Sequence, residues 1–201
     1  MINYRPIVLL VLAFAMPVLA GAAPRVGEPA PDFNGTDTSG KTWTLAGLRG
    51  TPVILEWTNH DCPYVKKHYG SGNMQALQAE AAEAGYTWLS VISSAPGKQG
   101  HVSPAEADAL TSSRNAVPAA VLLDPDGTIG RAYGARTTPH MFIIDEKGTL
   151  VYMGGIDDRP TSDPADIDGA TNYVRAAMAD RAAGKPVAQP ATRPYGCSVK
   201  Y

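Results

Sequence analysis

Short apolar runs and helical patterns alternate along the middle of this chain, and few architectures accommodate that order. "PVILEW" (52–57) is brief, apolar and partly β-branched, as a buried strand must be. "NMQALQAEAAEAG" (73–85) is alanine-rich and ends in glycine, which reads as a helix with a C-terminal stop. "YTWLSVISS" (86–94) is a second strand, and "SPAEADALTSSRNA" (103–116) opens with Ser103, Pro104 and Glu106, a capping-box start. A third strand, "AAVLLD" (119–124), is closed by the turn "DPDG", and "TIGRAYG" supplies one or two helical turns. "HMFIID" (140–145) and "TLVYMGG" (149–155) flank "EKG" as a hairpin, and 163–184 contains a long helix. Upstream, 26–50 is turn-rich, with a short alternating piece at 41–45 that reads as a β-hairpin lead-in. Strand–helix–strand–helix–strand requires parallel strands with crossover helices, and the hairpin adds antiparallel ones. The expected class is α/β, with a central mixed β-sheet flanked by helices.

The first residues set an expected compartment. One positive charge lies within Met1–Arg5, an apolar run follows from Ile7 to Ala20, and small residues occupy 20–23. This is the pattern of a cleaved secretory leader over 1–22. The run is shorter than the roughly 20 residues of a membrane span, and Pro17 interrupts it. A periplasmic or secreted protein follows, not integral to the membrane after cleavage. One domain over 23–185 and a tail over 186–201 make up the remainder. The formal net charge is -2 with no basic run, so no nucleic acid partner is expected. Two cysteines are too few for a disulfide-stapled scaffold. In an oxidising compartment they pair structurally or do chemistry.

Cys62 stands between the 52–57 strand and Pro63, and proline favours the first position of a helix. A helix N-terminus carries partial positive charge and unpaired N–H groups, both of which favour thiolate. Lys66, Lys67 and His60 add charge nearby, with Asp61 opposing them. A low-pKa, solvent-reachable nucleophile is expected, since thiolate is the reactive form. Glu56 interrupts an apolar strand six residues earlier. A buried carboxyl needs a partner; this one is either a proton acceptor for the cysteine or a group that faces a polar cleft or a lysine. Thr138-Pro139 precedes the 140–145 strand. The order of elements is thioredoxin-like, and in that setting a cis proline would place the Thr138 backbone beside Cys62, where an extended substrate segment could pair. A strand-initiating proline is the plainer reading. The acids at 157, 158, 163, 166 and 168 do not have calcium-loop spacing and read as a solvated face with a helix cap.

"GEPAPDF", "NHDCPYVKKHY", "TPHMFIIDEKGTLVYMGGIDDRP" and the terminal "GCSVKY" together resemble the peroxiredoxin-like branch of the redoxin (alkyl hydroperoxide reductase and thiol-specific antioxidant) family. The resemblance spans nearly the whole mature chain and implies a thioredoxin-like fold and a thiol oxidoreductase that needs no cofactor. Its substrate would be a peroxide or a disulfide, and its partner a protein dithiol or disulfide. Two departures stand out. Where peroxidases of the superfamily place a proline and a hydroxyl residue before the reactive cysteine, this chain has Leu55 and Asn59. Where disulfide reductases place a second cysteine, it has Val65. The incomplete peroxidase motif tilts the reading toward disulfide exchange. Cys62, Cys197 and Glu56 are the catalytic candidates; Thr138, Pro139, Asn59 and Arg136 are the candidates for substrate binding. Cys197 resembles the C-terminal resolving cysteine of some peroxiredoxins; a static bridge that pins the tail is the other reading. A different class of function, copper binding by His60, His140, Met141 and the two thiols, rests on the preference of Cu(I) for soft ligands.

Overall fold

The computed structural model describes residues 23–201, so the expected leader lies outside the described residues. A hairpin of β1 (Asn34–Asp37) and β2 (Thr42–Thr44) comes first, followed by the central strand β3 (Val53–Trp57). The helices α1 (Pro63–Gly70) and α2 (Asn73–Glu83) are separated at Gly72, whose positive φ of 77° ends one helical path and starts the next. Then follow β4 (Thr87–Ile92), α3 (Pro104–Ser113), β5 (Ala120–Leu123) and α4 (Thr128–Tyr133). The chain continues through β6 (Thr137–Thr138), β7 (His140–Ile144) and β8 (Leu150–Gly154) to α5 (Tyr173–Ala182) and β9 (Cys197–Ser198). Seven strands form one mixed sheet in the order β2-β1-β5-β4-β3-β7-β8. β3 pairs parallel with β4 and antiparallel with β7, so the strand leading to Cys62 lies inside the sheet.

Strand alternation divides the core. Val53, Leu55 and Trp57 join Phe142, Ile144 and Tyr133 on one face. Ile54 joins Met141, Ile143 and the apolar sides of α1, α2 and α5 on the other, and Cys62 belongs to that second cluster. Each fully buried aliphatic side chain contributes about 1.5–3 kcal/mol. The central strands therefore form a rigid base for the loop at 58–62.

Two expectations change. The helix expected within 163–184 is two pieces, a 3-10 turn at Pro164–Ile167 and α5. Gly169 turns with φ 77° between them, and the Asn172 side chain accepts from Arg175 N–H to cap α5. The tail has no periodicity because tertiary pairing, rather than local structure, orders it. Residues 190–192 run along the sheet edge: Met153 N–H donates to Pro190, and Thr192 N–H donates to Met153. Beyond them β9 pairs antiparallel with β6, Thr138 opposite Cys197 and Thr137 opposite Ser198.

Candidate active site

Cys62 is the N-cap of α1, with Pro63 at the first helical position. Its sulfur is fully buried, contrary to the expectation of a solvent-reachable thiol, because the tail lies over it. Sγ lies 3.1 Å from the carbonyl oxygen of Thr138, to which the S–H donates. The Thr138-Pro139 peptide bond is cis. Burial pushes the Cys62 pKa up. Hydrogen bonds from the side chains of Cys197 and Thr138, and from the N–H groups of Val65 and Cys197, outweigh it and hold the thiol below its ordinary value. Cys197 moves the other way: burial, the hydrogen bond with Cys62 and repulsion from its charge push it up to about 11. Both cysteines are free thiols, and the β6–β9 pairing sets Cys197 opposite Thr138, whose carbonyl receives the Cys62 S–H.

The charges expected around Cys62 are directed elsewhere. His60 and Lys66 face Asp61 at 3.4 and 3.9 Å. Lys67 is buried and donates to the Arg159 carbonyl at 2.9 Å. Glu56 is buried and accepts from Tyr69, Trp88, Ser90 and Gln78 at 2.9–3.4 Å, and none of its hydrogen bonds goes to Cys62. Four donors from β4, α1 and α2 therefore converge on one carboxyl under the helices. The Asn59 side chain accepts from Asp61 N–H at 2.9 Å and donates to the Gln99 carbonyl at 3.3 Å, which ties the 95–101 loop to the cysteine loop. Arg136 is exposed, and its carbonyl receives Val199 N–H from the tail at 3.0 Å. Of the predicted site residues, Thr138 touches the Cys62 sulfur, Cys197 lies opposite Thr138, and Pro139 follows it across the cis bond.

A second cluster escaped the sequence reading. Asp157, expected on a solvated face, is 3% exposed. Tyr195 Oη donates to its Oδ1 at 2.5 Å and sits 3.1 Å from His68 Nε2, while Lys67 Nζ lies 3.9 Å from Oδ2. Burial, then the Lys67 charge, lower the His68 pKa to about 3, so the ring is neutral. Asn73 Nδ2 lies 2.8 Å from His68 Nδ1. This polar knot holds Tyr195 two residues before Cys197. At the other end of the segment Tyr201 Oη donates to the Ala135 carbonyl at 2.8 Å, and its ring stacks on Arg131. The one clue in the sequence is the pattern Tyr195-Gly196-Cys197 after a run of prolines.

The copper ligand set is not brought together. His140 packs on Phe142 and faces Arg136 N–H, and Met141 is buried in the core. Among the described residues no group of three or more His, Cys, Asp or Glu side chains converges as a metal site would require.

The family model of AhpC/TSA matches residues 26–153, and the chain belongs to that redoxin family. Solved structures agree on the fold. A hypothetical protein of Sinorhizobium meliloti is 24% identical with a TM-score of 0.73, over 90% of this chain and 96% of its own. An uncharacterized conserved protein of Geobacillus kaustophilus is 22% identical with a TM-score of 0.74, over 94% and 98%. A secreted Mycobacterium tuberculosis disulfide oxidoreductase is 20% identical with a TM-score of 0.51, over 68% and 92%. No curated protein matches the sequence. Among the described residues no helix is long and apolar enough to cross a membrane.

Proposed function

We propose that this protein is an exported thiol-dependent oxidoreductase that exchanges disulfides, with Cys62 as nucleophile and Cys197 as resolving cysteine. The placement of two free thiols at Thr138-Pro139, with Cys62 bonded to the Thr138 carbonyl and Cys197 paired opposite Thr138, carries the reading. Cys62 thiolate attacks one sulfur of a partner disulfide; that bond breaks and the other sulfur leaves as a thiolate. A mixed disulfide neutralises Cys62 and removes the charge that held the Cys197 proton. Cys197 then loses its proton, attacks Cys62 Sγ and expels the partner's remaining sulfur as a thiolate, which takes up a proton. Two electrons pass from the cysteine pair to the partner, and the reverse sequence oxidises a partner dithiol. Export rests on the leader pattern of 1–22.

Peroxide is the second reading, because a small oxidant suits a buried sulfur better than a protein does. It would leave Cys62 as a sulfenic acid, which Cys197 condenses to a disulfide with loss of water. Asn59, which stands where a hydroxyl residue would help hold peroxide, spends its side chain on Asp61 and Gln99. Stopped-flow reaction of reduced protein with hydrogen peroxide and with a mixed disulfide, side by side, tests both. Faster oxidation by the disulfide is the expected result, and a digest without reduction should contain Cys62 and Cys197 in one linked pair. Cys197 found free beside a Cys62 adduct, after either oxidant, would overturn the two-cysteine mechanism.

A further inference from the structure

The edge of β6 is filled by the chain's own tail. In the proposed exchange a partner's extended cysteine segment must lie beside Thr138 to present its sulfur to Cys62, and β9 already lies there with Cys197 opposite Thr138. The fit is specific. Gly196 adopts φ 131°, and a Cβ on it would overlap the Thr138 carbonyl, so only glycine permits this approach. Tyr195 reaches into the buried Asp157 and His68, and its ring meets Tyr64 edge-on with centroids 5.9 Å apart.

The geometry points to the tail as an occupant of the partner's own strand site, so that the preferred partner is a protein presenting an extended segment in which a glycine directly precedes the reactive cysteine and a tyrosine precedes the glycine. This rests on the oxidoreductase reading and names its partner class. Such a segment adds a strand to the β6 edge by backbone pairing, and the alternate side chains supply specificity. While docked, the tail buries Cys62 and excludes the partner. Once it leaves, the partner strand enters and its disulfide is cut by Cys62, with the partner's second sulfur released as a thiolate. Re-docking of the tail then does two things at once: it delivers Cys197 to Cys62 Sγ and displaces the partner strand. Tethering gives the tail an effective concentration on the order of millimolar, so resolution outpaces outside thiols.

The test uses the full chain and a labelled peptide of residues 193–201 with Cys197→Ser. The variants Gly196→Ala and Tyr201→Ala each undock the tail at a different anchor, and circular dichroism identifies which of them is folded. In a folded variant, Cys62 alkylation should accelerate at least about tenfold over wild type. The peptide should bind that variant at least about 100-fold more tightly than wild type, given millimolar competition from the tethered tail. It should also protect Cys62 from alkylation, and a peptide with Gly196→Ala should fail to bind. Equal binding to variant and wild type, no binding to either, or equal binding of the Gly196→Ala peptide would overturn the proposal. If both variants prove unfolded, the wild-type protein decides: the peptide at several millimolar must raise Cys62 protection in proportion to its occupancy, and no change counts against the proposal. Exchange of Cys62 with a small mixed disulfide is followed in parallel. If that exchange proceeds while the peptide fails, the docking site is wrong and the oxidoreductase reading stands; if the exchange itself fails, the oxidoreductase reading falls.

Discussion

The two cysteine segments of this protein are ordered by opposite means. Cys62 sits where a buried strand ends and a proline starts a helix, so its position follows from the eleven consecutive residues 53–63. Cys197 sits on a two-residue strand whose partner lies 59 residues earlier in the chain, and every bond that orients it is tertiary. Yet both are brought to Thr138, and their pKa values move in opposite directions, Cys62 down and Cys197 up. In the proposed exchange the locally built Cys62 is the fixed nucleophile, and Cys197, held by non-local pairing, is the group that can leave and return.

The largest effect that could break this contrast is on turnover. Cys62→Ser should reduce steady-state disulfide exchange to background while the melting temperature hardly moves. Cys197→Ser should leave the first oxidation of Cys62 intact and stall the cycle, so a stoichiometric burst without turnover is the expected trace. If Cys197→Ser abolished the first step as well, the division into nucleophile and resolving group would fail.

Removal of Asp157 attacks the tail's anchor instead. Asp157→Ala leaves Lys67 as an uncompensated buried charge and takes away the acceptor for Tyr195. A loss of about 3–5 kcal/mol is expected for breaking a buried pair, measured by urea denaturation. Tyr201→Phe is far milder. It deletes one hydrogen bond, to the Ala135 carbonyl, for about 0.5–1.5 kcal/mol. Its sharper signature should be a modest rise in Cys62 alkylation with little change in global stability. Equal losses from these two variants would show that the tail is held uniformly rather than by its buried knot.

Acid should loosen the same knot. Burial, then the Lys67 charge, lower the folded-state pKa of His68 from 6.5 to about 3. Between those values the unfolded chain binds the extra proton and the folded chain does not, so stability rises with pH there. The contribution is fully present above about pH 6.5 and is lost as pH falls toward 3. Tyr195, Asn73, Lys67 and Asp157 are the groups that face this ring. Melting temperatures at pH 7 and pH 5 should differ more in wild type than in His68→Gln. Buried His140, with its pKa lowered to about 3 by burial and Arg136, adds a slope common to both. An identical pH dependence in the two proteins would remove His68 from the account.

Much of this architecture was legible from local pattern alone. Short apolar runs and helical patterns located the central strands and helices, the capping box at Ser103 is present, and Pro63 begins α1 behind Cys62. These features depend on backbone sterics and nearest neighbours, which a sequence states directly. The helix within 163–184 did not emerge whole, because Gly169 and the Asn172 cap divide it. The destinations of polar side chains were also beyond local pattern. Lys67 and Asp157 look like surface charges in sequence, and each is tolerable inside only because the other, with Tyr195, is brought to it by the fold. Glu56 was visible as an anomaly in an apolar strand, but the donors that satisfy it come from three other elements. The tail shows the division most clearly. Its prolines exclude regular structure, and its sequence determines that Cys197 exists, that glycine precedes it and that it can reach the site. Only the tertiary structure decides where it lies, because an edge strand takes its order from the hydrogen bonds of another segment and carries none of its own.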